Sequence, residues 1–292
     1  MSEPVVAARN LSKCFGSKVA LQGVSAEVAA GDIIGVLGKN GAGKTTLLEV
    51  LLGFSPPSEG SATVFGEDCL ELSAATKGRI GFVPQQDELL GMLNGKQQLA
   101  ITAAFHANWN HGLIDRLVAE WGVPLDRRMH TLSVGERQKL SVLTALGHQP
   151  DLLVLDEPVA SLDPIARRQF LAQLFDIAEN RTRAVLFSSH IVSDLERAAN
   201  KVWIIKDGRL YWQGEIDALK ESVVRLHIRA RGSLPPDLAI PAALTVRVEG
   251  SAATVAMSQW RPELRETLAQ RFDAAVEVEP LGLEEIFVEL HR

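Results

Sequence analysis

Polar and apolar residues alternate along positions 4–30, with a turn at Phe15-Gly16-Ser17-Lys18. That period of two predicts antiparallel strands that bury one face. The pattern then becomes a continuous apolar run, Ile33-Ile34-Gly35-Val36-Leu37, which predicts a strand buried on both faces, followed by a helix from Thr46 to Leu52. Pro56-Pro57-Ser58-Glu59-Gly60 predicts a turn, with a strand through Val64 and another over 79–86 that ends at Pro84-Gln85. From 87 to 131 the spacing is helical. A helix is expected over Gln97–Val118, broken at Gly112, with Trp109 and Trp121 as core anchors of a small helical subdomain. Helix and strand alternate from 133 to 214. There Leu152-Leu153-Val154-Leu155 and Ala184-Val185-Leu186-Phe187 predict strands of a buried parallel sheet. Beyond about 215 the register changes again. A strand is expected over Val223–Arg231 and a loop over 232–236. Leu244–Val248 and Ala253–Met257 should pair around Gly250-Ser251, with helices over 261–272 and Leu283–His291. The expected organisation is one domain over 1–215, with a helical subdomain at about 87–145, and a small α+β appendage over 216–292.

Chemistry enters at Gly38-Lys39-Asn40-Gly41-Ala42-Gly43-Lys44-Thr45, which fits G-x-x-x-x-G-K-[ST] between a strand and a helix. Glycines let the backbone reach a phosphate chain, and the helix N-terminus supplies N–H groups to it. Gly38, Asn40, Gly41, Gly43 and Thr46 belong to this cradle. Lys44 adds a charge for the outer phosphates, and Thr45 a hydroxyl for Mg²⁺. Asp156 and Glu157 follow the apolar strand 152–155, at the strand end where open α/β sheets bind ligands. Asp156 suits Mg²⁺; Glu157 suits polarising an attacking water.

Composition narrows this picture without changing it. The chain has 292 residues, 46% hydrophobic and 23% charged, with a net charge of −6, which argues against broad nucleic-acid binding. Cys14 and Cys69 have no metal or redox spacing, and the start Met1-Ser2-Glu3-Pro4 is unlike a secretion leader. No apolar window approaches the ~18 residues of a membrane span, so a cytoplasmic location is expected.

In this order the motifs resemble the nucleotide-binding subunits of ATP-binding cassette (ABC) transporters, over about residues 4–215. Leu132-Ser133-Val134-Gly135-Glu136-Arg137-Gln138 looks like the family's signature L-S-G-G-Q, which opens a helix and meets the γ-phosphate held by an opposite protomer. The resemblance assigns Ser133, Gly135 and Glu136 to that contact. Val134 stands for Gly and Glu136 for Gln: the first adds bulk, and the second adds a negative charge near others unless it is aimed at the ribose. Ser133 with Glu136 also fits a capping box. Gln85 looks like the family's Q-loop glutamine, which reaches Mg²⁺ and the lytic water. Ser161-Leu162-Asp163 resembles the D-loop at the dimer interface. His190 resembles the switch histidine on the γ-phosphate, and Phe15 the aromatic that stacks on adenine.

The resemblance therefore implies a P-loop α/β fold, mainly a parallel sheet with an antiparallel β subdomain. It implies ATP and Mg²⁺ as ligands, with catalysis by Glu157, His190, Gln85 and Lys44 and metal contacts from Thr45, Gln85 and Asp156. It further implies a second cassette protomer, separate transmembrane permease subunits, and a peripheral place on the inner face of the cell membrane. The short helical subdomain and Leu283-Glu284-Glu285-Ile286-Phe287 resemble bacterial exporters of drugs, peptide antibiotics and lipids. Two other readings fit a cassette ATPase. One is a soluble protein acting on ribosomes or DNA, but the chain shows neither a second cassette with a charged linker nor a coiled-coil insertion. The other is a weakly hydrolysing nucleotide sensor, which Glu136 favours and which Glu157 and His190 oppose. The remaining histidines are expected to be structural or solvated, and the acids Glu277, Glu279, Glu284 and Glu285 to lie at the surface rather than to be catalytic.

Overall fold

The computed structural model describes residues 3–159, 162, 164–178 and 182–292. The backbone divides into two units, Met1–Gln213 and Gly214–Arg292.

In the first unit β1 (Val6–Phe15) and β2 (Lys18–Val28) form the hairpin that the alternation predicts. Gly16 takes φ 59° at its tip, a conformation open to glycine at no steric cost. Next come β3 (Ile33–Leu37), α1 (Lys44–Leu51), β4 (Glu59–Val64), β5 (Glu67–Asp68), α2 (Ala74–Lys77) and β6 (Ile80–Val83). The helical stretch holds α3 (Gly95–Ala104), α4 (His111–Trp121) and α5 (Val134–Leu146). β7 (Leu152–Leu155), α6 (Pro164–Ala178), β8 (Ala184–Ser189), α7 (Val192–Ala198), β9 (Lys201–Lys206) and β10 (Arg209–Glu215) follow.

These strands make two sheets, β2-β1-β4-β5 and β10-β9-β3-β8-β7-β6. In the first, β1 pairs antiparallel with both β2 and β4. In the second, β9, β3, β8, β7 and β6 pair in parallel. The runs in β3, β7 and β8 are buried at every residue, as a sheet covered on both faces requires. α1 joins the two sheets in one core. Its Leu47, Leu48 and Leu51 cluster with Leu11 and Leu21 of the antiparallel sheet and with Val36 and Val154 of the parallel one.

The helical stretch departs from expectation at its break. Gly112 lies inside the first turn of α4, and the chain leaves helix between Ala104 and His111. The cause is Asn110, whose side-chain oxygen accepts from Leu113 N at 2.9 Å and starts a new helix. Trp121 is buried as expected. Trp109 is only half-buried: instead of entering the core it lies against Gly147, where an added Cβ would fall 2.3 Å from the indole. Beside it the rings of His106 and His148 stack at 4.0 Å. His148 contacts the Ile80 carbonyl through Nε2 at 3.0 Å, so that nitrogen carries the proton and donates. Its Nδ1 is buried without a hydrogen-bond partner among the described residues.

In the second unit α8 (Ile216–Ser222) leads to β11 (Val224–Ala230), β12 (Ala243–Glu249) and β13 (Ala252–Met257), then α9 (Glu263–Phe272), β14 (Ala274–Pro280) and α10 (Leu283–Leu290). The sheet order is β12-β13-β11-β14. β14 was not foreseen: Glu277 and Glu279 look solvated in sequence, yet Val276, between the exposed Ala275 and Glu277, is buried in the core with Leu226, Ile228 and Val255. Glu279 and Glu285 both contact Arg225, at 3.2 and 3.3 Å. The same guanidinium meets Glu289 at 3.4 Å, and this buried carboxylate also accepts from Thr245 Oγ1 at 2.9 Å. The acids thus fasten α10 to the sheet, a structural role.

Burial, reinforced by the neighbouring His106, pushes the His148 imidazole down to about 4. The unfolded chain therefore binds a proton in the range where the folded one does not. Stability from this site is complete above the ordinary histidine value and is lost as pH falls toward 4, on the order of 3 kcal/mol in all. Scanning calorimetry should show the melting temperature dropping between pH 7 and 4.5, with a visibly shallower drop in His148→Gln, which can still donate to Ile80 but does not titrate. Equal slopes would contradict this assignment.

Candidate nucleotide site

The loop after β3 turns on glycines whose replacement the surroundings forbid. Gly43 takes φ 109°, and a Cβ there would sit 2.7 Å from the Ala20 carbonyl oxygen. A Cβ on Gly38 would meet the Ile205 carbonyl oxygen at the same distance. The backbone is thus locked into a curl that ends at the first turn of α1. That helix has no side-chain cap, so its first N–H groups are left for an external acceptor.

Lys44 is buried in this curl. Its Nζ donates to Gly38 O at 2.9 Å and lies 3.4 Å from Glu157 Oε1. Glu157 arrives from the end of β7 with φ 48°, a left-handed backbone that is uncommon for a side-chain-bearing residue. Ser188 on the adjacent β8 holds it there. Its hydroxyl accepts from Glu157 N at 2.8 Å and donates to Asp156 Oδ1. Glu157 Oε2 meets His190 Nδ1 at 2.7 Å. The carboxylate is therefore held between a lysine and a histidine, and its backbone and its acidic neighbour share one buried hydroxyl.

Around these groups lies a cavity of about 310 Å³. Phe15, Asn40, Gly41, Gly43, Lys44, Thr45 and Thr46 line it from the hairpin and the loop; Gln85, Glu157 and His190 line it from the strand ends. Gly38 stands behind, as an acceptor for Lys44. Lys18 and Ala20 also line this cavity, although nothing in their sequence context marked them. Asp156 lines an adjoining cavity of about 410 Å³, together with Thr45 and Gln85.

The signature residues are not part of either lining. Ser133 caps α5, accepting from Glu136 N at 3.2 Å, while Glu136 Oε2 accepts from Ser133 N at 2.7 Å, so the expected capping box is present. These bonds hold the Glu136 carboxyl below the usual carboxylate range. Ser133 and Val134 are exposed and Gly135 half-exposed. Arg137, the next residue on α5, pairs with Asp87 at 2.9 Å and so ties the segment after Gln85 to the signature helix. Of the expected D-loop, Leu162 is buried, and Ser161 and Asp163 lie outside the described residues.

Ser188 was missed as a functional residue because it reads as one more small residue at the end of an apolar strand. Its only signal is that it and Ser189 put hydroxyls at the end of an otherwise apolar strand.

A parallel sheet, a glycine curl opening a helix, a lysine beside a carboxylate and a second acid at the same strand end define a P-loop nucleotide hydrolase. Comparison with known proteins narrows the class. Residues 21–160 match the ABC transporter family. The bacitracin transport ATP-binding protein BcrA of Bacillus licheniformis is 32% identical over 219 residues, covering 74% of this chain and 72% of that protein. The Nod factor export ATP-binding protein I of Burkholderia lata is 32% identical over 292 residues, covering 97% and 95%. Among solved structures, an ATP-binding subunit of an ABC transporter superposes with a TM-score of 0.66 at 24% identity, covering 74% of this chain and 92% of that one. An ATP-binding cassette solved as a dimer with ADP and Pi superposes with a TM-score of 0.65 at 20% identity, covering 72% and 98%. The chain belongs to the ATP-binding proteins of the ABC transporter family, and it is an ATPase.

Removing the hydroxyl in Ser188→Ala leaves Asp156 Oδ1 and the Glu157 amide without their shared buried partner. The expected result is a fall in kcat of about fivefold to about a hundredfold, from the ~1–3 kcal/mol cost of such a loss, with ATP affinity changed far less. Steady-state ATPase kinetics beside calorimetric ATP binding separate the two. An unchanged kcat would show that Ser188 does not hold the carboxylates.

Proposed function

We propose that this chain hydrolyses ATP as one half of a head-to-tail pair and drives an exporter whose membrane-spanning part is a separate permease. The observation that carries this reading is the division of the phosphate-binding groups. Lys44, Thr45, Gln85, Glu157 and His190 line one cavity, whereas Ser133 and Gly135 open α5 outside that lining. A helix N-terminus with a free hydroxyl proton is a second anion-binding end. A second copy of the chain, or a paralogue, brings that end to the first copy's nucleotide. Two-fold pairing then makes two equivalent sites.

The chemistry follows from the contacts. Lys44 and Glu157 neutralise each other at 3.4 Å. A γ-phosphate drawn to the curl and to Lys44 competes for that ammonium and frees Glu157 to orient and deprotonate the lytic water. His190 remains against Glu157 and faces the developing charge. Phe15, half-exposed at the cavity wall, offers a ring face for adenine. Thr45, Gln85 and Asp156 line one cavity and are all oxygen donors, a set that suits Mg²⁺ and would hold it. When bound, that ion neutralises charge on the outer phosphate oxygens. The Asp87–Arg137 pair transmits movement of the Gln85 segment to the signature helix.

Export, rather than uptake, is supported by relatives named for bacitracin transport and Nod factor export. The proposed cargo is accordingly a drug, peptide antibiotic or lipid-like molecule. No helix among the described residues is long and apolar enough to cross a membrane. The proposed location is peripheral, on the inner face of the cell membrane, against the permease.

The test is Glu157→Gln, which keeps the shape and removes the base. With Mg-ATP it should accumulate as a dimer on gel filtration, and without nucleotide as a monomer. A monomer under both conditions would contradict the shared site.

A further inference from the structure

Glu136 poses an electrostatic problem that the rest of the signature does not. It lies in the first turn of the helix whose N-terminus, on the reading above, must attract a triphosphate. A carboxylate there competes for the positive end of the helix dipole and repels the incoming anion.

The structure supplies a counter-charge. Arg127 Nη1 donates to Glu136 Oε1 at 3.2 Å. Its other terminal nitrogen, Nη2, donates to the Thr131 carbonyl, in the helical turn Met129–Thr131 just ahead of the signature. One guanidinium therefore bridges the carboxylate and the backbone leading into Leu132-Ser133. Of the next cations along α5, Arg137 is paired with Asp87 at 2.9 Å, and Lys139 is turned to the Trp121 carbonyl at 3.0 Å and acts on Glu136 only through its field, more weakly than Arg127. The pair is 49% and 26% exposed at its two side chains, too open to water to matter much for folding. Its effect lies in the local field.

The geometry points to Arg127 as a positioning residue of the nucleotide site, one that lets a glutamate serve in the signature. It neutralises Glu136 and holds it in the capping rotamer, so that Ser133 and the Gly135 N–H meet the opposite protomer's γ-phosphate at a helix end of no net negative charge. Glu136 is thereby a cap with a partner. This inference rests on the head-to-tail reading of the site.

The test uses the full chain carrying Glu157→Gln, with Mg-ATP, and reads the dimer dissociation constant by sedimentation. Adding Arg127→Ala should weaken dimerisation by at least about tenfold, the factor set by one uncompensated charge in a partly screened contact. The loss should shrink as salt rises from about 0.05 to about 0.5 M. Arg127→Lys should retain most of the affinity. Adding Glu136→Gln to the Arg127→Ala chain should restore it, because the amide oxygen still accepts from Ser133 N and carries no charge. A merely structural arginine would show neither the salt dependence nor the rescue. A dimer indifferent to Arg127→Ala, or a loss that persists in the Glu136→Gln chain, overturns the role of Arg127 alone. If the chain with Arg127 intact stays monomeric in Mg-ATP, the head-to-tail site itself fails, and this inference with it.

Discussion

Parallel pairing of β3, β8 and β7 is the constraint on which the rest depends. Leu37 pairs with Ser189, and Leu155 with Phe187, so the three strands end along one edge of the sheet. Whatever follows each strand must emerge there. Gly38 and the glycine curl follow β3, Asp156 and Glu157 follow β7, and His190 follows β8. The site is a consequence of register, and a strand shifted by one residue would reverse which side chains face it. Burial of these strands on both faces makes that register costly to change, because α1 and the antiparallel sheet share a core with them.

Electrostatics then decides what the edge can do. Two buried acids and a buried lysine are tolerable only when paired. Asp156 has the Ser188 hydroxyl, and Glu157 has Lys44 and His190. Each pairing is also a lever, since an anion that takes Lys44 changes the charge balance felt by Glu157. The same logic recurs at the signature, where a carboxylate at a helix start is balanced by a nearby guanidinium. The charged groups of both halves are thus paired before they meet, and the triphosphate is the charge that joins them.

Much of this was legible in the chain. The glycine-lysine loop, the Asp-Glu pair after an apolar strand and the Ser133–Glu136 cap are local patterns, and each sits on the element its period predicts. What was not legible depended on distant partners. Ser188 gains its role only when β8 lies beside β7. Arg127 means nothing until the turn before α5 folds back toward Glu136. The break between α3 and α4 falls at Asn110 because a cap outweighs a glycine that a helix start tolerates. β14 hid because its acids, read one at a time, look solvated, while pairing with β11 buries Val276 and gives Glu279 an arginine and a histidine.

The central claim is that one chain carries two half-sites that are completed only by another chain. Two variants test it, each defective in one half: Lys44→Ala, lacking the phosphate lysine, and Ser133→Arg, with the signature end blocked. Each alone should hydrolyse little ATP. Mixed in equal amounts, they form some heterodimers in which one site unites an intact curl with an intact signature, and ATPase activity should reappear well above the sum of the two. Activity that stays at that sum in a mixture shown to dimerise would contradict the claim.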